Sequence, residues 1–131
     1  MVQTDIPQLS KECNDWRERL HSFRDEFNRL KHELQHVANR ALSKDQLTGL
    51  EHYQNQLHIQ LINIHDLKQA VKTHDKKIQY EVSENQGQLT DDTYTEHENL
   101  YDAYHSLQST LDELRSAFYK YVKSIAVANY N

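Results

Sequence analysis

The chain has 131 residues, with 15 Lys plus Arg against 20 Asp plus Glu, giving a formal charge of −5. That length holds one domain and one core, and the expectation is a single domain over residues 1–131. Two Gly and one Pro in the whole chain argue against a turn-rich sandwich or barrel. The acidic balance disfavours a phosphate-binding surface, so no nucleic-acid partner is expected.

In the first segment the apolar positions are Leu9, Cys13, Trp16, Leu20, Phe23, Phe27, Leu30, Leu34, Val37 and Ala41, with steps that alternate four and three. This 3.5-residue repeat marks one helical seam and predicts a helix over about 6–42. A capping box follows at Ser43 and Gln46, with Leu42 and Leu47 placed for a hydrophobic staple. The second helix is expected over 44–83, with Leu50, Leu57, Ile64, Val71 and Ile78 seven apart and the polar Gln60 and His74 also on its seam. Gln60 reads as a register-specifying amide. Gly49, near the start of this helix, costs up to about 1 kcal/mol relative to Ala, and a later start capped by Thr48 with Glu51 is the alternative.

The next break is Glu84–Leu89, after which Thr90 caps a third helix over 91–128 whose first turn carries Asp91 and Asp92 at the positive dipole end. Its seam is Leu100, Tyr104, Leu107, Leu111, Leu114, Phe118, Tyr121, Ile125 and Ala128. Three helices of similar length with short links give an all-α, elongated, antiparallel up-down-up three-helix bundle. The layout resembles a spectrin-type three-helix repeat at the level of architecture, with longer segments.

Four constellations could carry chemistry. His32-Glu33-Leu34-Gln35-His36 matches H-E-x-x-H, in which two histidines hold zinc and the glutamate acts as base. The heptad sets His32 and His36 on the outward face, so a solvated helix surface is the expectation. Glu33/His36 and Asp102/His105 have the carboxylate-x-x-His spacing of di-iron bundles, but that chemistry needs inward-facing ligands. Folding the chain at residues 43 and 87 brings His74 level with Cys13 and next to the layer of His97, all three on seams. A thiolate and two imidazoles there suit Zn²⁺, with the fourth position left to water or a carboxylate such as Glu12. Finally, Lys68, Lys72, Lys76 and Lys77 should face Asp91, Asp92, Glu96, Glu98 and Asp102 across an antiparallel pair.

Cys13, the only cysteine, excludes an internal disulfide and fits a reducing compartment. The first seven residues lack the pattern of a secretory signal, and no apolar run approaches the roughly 18–20 residues of a bilayer span. The expectation is a soluble, cytoplasmic protein with no membrane partner. Ile59 and Ile62 fall outside the seam of the second helix, and Tyr119, Val122 and Ala126 form a stripe outside that of the third. Such clusters suggest contact. The leading functional expectation is thus a non-enzymatic scaffold or adaptor, without cofactor, that meets its own copies or another protein. The alternative is a metal-binding protein centred on Cys13, His74 and His97.

Overall fold

The computed structural model describes residues 5–128. Three helices follow one another, α1 (Ile6–Ala38), α2 (Lys44–Glu84) and α3 (Asp91–Ala128), with no strand among the described residues. At 1.5 Å per residue they span roughly 50, 62 and 57 Å. Arg17 approaches Asp75 and Lys68 approaches His21, so α1 and α2 run antiparallel. The Tyr53 hydroxyl bonds Ala117 O and Glu81 bonds Thr90, so α2 and α3 are antiparallel too. Glu26 meets Arg115 and Glu12 meets His97, which sets α1 and α3 parallel. The topology is up-down-up.

The seven-residue spacings become the core. Leu50, Leu57, Ile64, Val71 and Ile78 of α2 are all buried, as are Leu9, Cys13, Trp16, Leu20, Phe27, Leu30, Leu34 and Val37 of α1. On α3 one heptad position is buried (Tyr104, Leu111, Phe118, Ile125), while the other (Leu100, Leu107, Leu114, Tyr121) is half-buried. The side chain of Ala128 and residues 1–4 lie outside this description, and with them most of the opening segment read for a leader.

The first helix is shorter than its heptads predict. It ends at Ala38, where Asn39 takes the cap, and Ala41 is exposed in the turn rather than part of the seam. Asn39, Arg40 and Ala41 are exposed, so no buried apolar side chain holds them helical, while Leu42 packs on the core from the turn. The second helix starts where the capping box places it: Ser43 Oγ accepts from Gln46 N at 3.2 Å and Gln46 Oε1 accepts from Ser43 N at 2.9 Å. The later start at Thr48 does not occur, and Leu47 remains 46% exposed, so the expected staple buries little of it.

Gly49 has a reason the sequence hides. A Cβ there would lie 2.5 Å from Cε1 of Tyr121, whose hydroxyl donates to Gln46 O at 2.7 Å. The close approach of the α3 ring to the α2 backbone leaves no room for a Cβ at this position unless the Tyr121 ring shifts.

At the opposite turn Gln86 and Gly87 both have positive φ, as a tight reversal after a helix requires. Thr90 Oγ1 accepts from Thr93 N, and Glu81 of α2 accepts from both the Thr90 amide and its hydroxyl. Glu81 thus substitutes for the usual third-position glutamate of a capping box. This anchoring sets the relative height of the end of α2 and the start of α3, where His74 and His97 lie.

Candidate metal centre

Cys13, His74 and His97 come one from each helix, and all three are buried, at 0%, 1% and 5% exposure. Sγ of Cys13 and one ring nitrogen of each histidine lie within 4.8 Å of one another. The convergence expected from folding the chain at its turns is therefore real. His97 Nδ1 is 3.0 Å from His74 Nε2 and 4.0 Å from Cys13 Sγ. A tetrahedral Zn²⁺ at ordinary bond lengths sets N···N at ~3.3 Å and S···N at ~3.5 Å. The two imidazole nitrogens need to open by only a few tenths of an ångström, whereas Cys13 Sγ, at 4.0 Å from His97 Nδ1 and within 4.8 Å of the group, must close by about 0.5–1.3 Å to reach bonding distance.

The outer nitrogens are committed elsewhere. His74 Nδ1 donates to Glu96 Oε1 at 2.6 Å, and His97 Nε2 donates to Glu12 Oε2 at 3.0 Å. A carboxylate only accepts, so each outer nitrogen carries the hydrogen. In two neutral imidazoles the inner nitrogens then present lone pairs to each other, a repulsive contact that a cation between them would turn into two bonds. Carboxylate–histidine–metal chains have this form: the outer acid fixes the tautomer and orients the ring.

The surroundings reinforce the asymmetry. Burial lowers the His74 pKa, despite the hydrogen bond and charge of Glu96, so this ring resists a second proton. Burial pushes Glu96 up, but hydrogen bonds from His74 and Lys77 outweigh it and hold this carboxyl below its usual range. The Cys13 thiol is pushed up to about 12, first by burial and then by the charges of Asp75 and Glu12, with Arg17 opposing them. Without a cation it keeps its proton and is a poor nucleophile. Trp16 lies against His97 with ring centroids 4.9 Å apart and packs on Tyr104 at 5.9 Å, closing the layer on the α1 side. Two surface grooves border the cluster, one lined by Thr73, His74 and Glu96 and the other by Glu12, His97 and Tyr101. The outer carboxylates therefore stand between the buried donors and water.

Glu12, expected as a possible ligand, holds the far side of His97 instead. Glu96 and Asp75 were not expected at this centre; their signal was adjacency to the seam histidines at 97 and 74. The remaining constellations do not assemble. His32, Glu33 and His36 are exposed, as are Asp102 and His105. Of the expected lysine–acid ladder only Lys77–Glu96 forms among the described residues, at 3.3 Å, and Lys68 turns to His21 of α1. Gln60 is buried and accepts from Asn63 at 3.2 Å. Ile59 and Ile62 are 38% and 47% exposed and Tyr119 is 47% exposed, whereas Val122 and Ala126 are half-buried, Val122 packing on the core. The stripe expected on α3 thus reduces mainly to Tyr119. No helix among the described residues is long and apolar enough to cross a membrane.

Comparison with protein-family models, curated proteins and solved structures finds no match.

Proposed function

We propose that this bundle binds one divalent metal ion of the zinc class through Cys13 Sγ, His74 Nε2 and His97 Nδ1. The supporting observation is the pair of inner imidazole nitrogens 3.0 Å apart, each with its outer nitrogen hydrogen-bonded to a carboxylate. A mixed thiolate and imidazole donor set suits Zn²⁺. With one ligand from each helix, the ion would tie α1, α2 and α3 at one end of the rod. The donors' burial favours a structural or storage role over hydrolysis, which needs a position open to substrate.

The test is titration of untagged, metal-stripped protein with Zn²⁺ against a chromophoric chelator. The expected result is one equivalent bound at sub-micromolar affinity, abolished by Cys13→Ser and by His97→Ala, and unaffected by His32→Ala with His36→Ala. Binding that survives Cys13→Ser, or no binding by the wild type, overturns the reading and leaves a proton shared between the imidazoles.

A second reading rests on a separate observation, the exposed pair Ile59 and Ile62 on the outer face of α2. In it the bundle serves as a scaffold that meets its own copies through this face, as the sequence led us to expect.

A further inference from the structure

Three protein donors leave a tetrahedral ion one position short, and the structure holds an unassigned donor beside them. Asp75 follows His74 on α2 and meets Arg17, which lies one helical turn beyond Cys13 on α1. Its two oxygens are treated differently. Oδ2 faces Arg17 Nη1 at 3.8 Å and accepts from Gln79 at 3.4 Å. Oδ1 is fully buried and has no hydrogen-bond partner. A buried carboxylate oxygen without a donor is costly and calls for an explanation such as an ion. The other two acids nearby have theirs: Glu12 is engaged by His97, and Glu96 by His74 and Lys77.

We infer that Asp75 supplies the fourth ligand through Oδ1, closing a Cys-His₂-Asp tetrahedron. This inference rests on the metal-binding reading above and goes beyond it by fixing the site's chemistry as closed. Asp75 is not among the three converged donors, so its side chain swings toward the ion on binding, and Oδ2 gives up two long contacts, to a partly exposed Arg17 and to Gln79. The charge supports this choice. Cys13 thiolate and Asp75 neutralise Zn²⁺, and the two histidines stay neutral with their outer hydrogens on Glu12 and Glu96. With all four positions taken from the protein, the ion has no water to activate.

The experiment uses Co²⁺ in place of Zn²⁺, because its visible spectrum reports coordination number and its near-ultraviolet band reports the thiolate. The full chain, Asp75→Ala, Asp75→Asn and Arg17→Ala are each loaded with one equivalent of Co²⁺, then challenged with azide and with imidazole. Wild type and Arg17→Ala are expected to give an intense tetrahedral spectrum that neither ligand changes. Asp75→Ala should retain the thiolate band, bind at least ~10-fold more weakly, and shift its visible bands when azide enters the vacated position. Asp75→Asn, nearly isosteric, guards against a folding defect, with circular dichroism as the control, and should also lose affinity. A wild-type spectrum that responds to azide, or an Asp75→Ala spectrum indistinguishable from wild type, overturns Asp75 as ligand while the three-donor site stands. Absence of any thiolate–Co²⁺ band in the wild type overturns both readings.

Discussion

Replacing Glu81 probes how the second turn is held, and its size can be worked from the contacts. The side chain is buried, at 7% exposure, and its carboxylate accepts from the Thr90 amide at 2.9 Å, the Thr90 hydroxyl at 3.1 Å and the Thr93 hydroxyl. Hydrogen bonds to a charged group contribute about 1.5–3 kcal/mol each, and an anion at a helix N-terminus up to about 2 kcal/mol in partly buried sites. These contributions share one carboxylate and do not add in full. Glu81→Ala should therefore cost about 3–4 kcal/mol and lower Tm by roughly 10–15 °C in a chain of this size. Glu81→Gln keeps the shape and one acceptor, and should cost about 1–2 kcal/mol.

The pH dependence has a definite sign. Burial pushes the Glu81 carboxyl up, but hydrogen bonds from Thr90 and Thr93, with the charge of Lys77, outweigh it and hold the carboxyl below the ordinary glutamate range. A carboxylate lowered on folding stabilises fully above its unfolded pKa, and that contribution disappears as pH falls through the folded value. The gap between wild type and Glu81→Gln should thus be complete at neutral pH and shrink only as the pH falls below the ordinary glutamate range. Urea unfolding followed by circular dichroism across this range measures both effects. An alanine variant within about 0.5 kcal/mol of wild type, which is the spread of ordinary surface substitutions, or a glutamine gap that ignores pH, refutes the reasoning.

Gly49→Ala should destabilise by about 1–3 kcal/mol through the clash with Tyr121, although alanine is the better helix former. In a Tyr121→Ala background the same change should instead stabilise by up to about 1 kcal/mol, read by thermal denaturation. Zn²⁺ at 100 times its Kd should add about 2.7 kcal/mol, raising Tm by roughly 10 °C, with no rise in Cys13→Ser. If the α2 face joins copies of the chain, Ile59→Lys with Ile62→Lys should reduce the mass seen by sedimentation while circular dichroism stays helical. An unchanged mass removes that face.

Much of this arrangement was legible because a heptad names the buried face and the turns name the folding points. Ser43, Gln46 and Thr90 located both turns through capping chemistry. Once the chain is folded there, counting sets His74 level with Cys13 and next to the layer of His97, and all three on seams. Glu81 carried the same signal as His74, since it lies seven residues further along one seam, and a polar seam residue beside a turn marks a cap. The end of α1 was not legible, because residues 39–42 contain neither glycine nor proline and the loss of burial there depends on where α2 crosses. Nor was the role of Gly49, which depends on a tyrosine 72 positions away. The outer carboxylates Glu12 and Glu96 sit beside the seam, and only side-chain direction separates an outer hydrogen-bond partner from a metal ligand.

The most direct test of the metal-binding account is native mass spectrometry of the untagged chain, incubated with one equivalent of Zn²⁺ and exchanged into volatile buffer. The account predicts one zinc per chain in the wild type and none in Cys13→Ser of the same fold. A metal-free wild type, or equal zinc in both proteins, contradicts it.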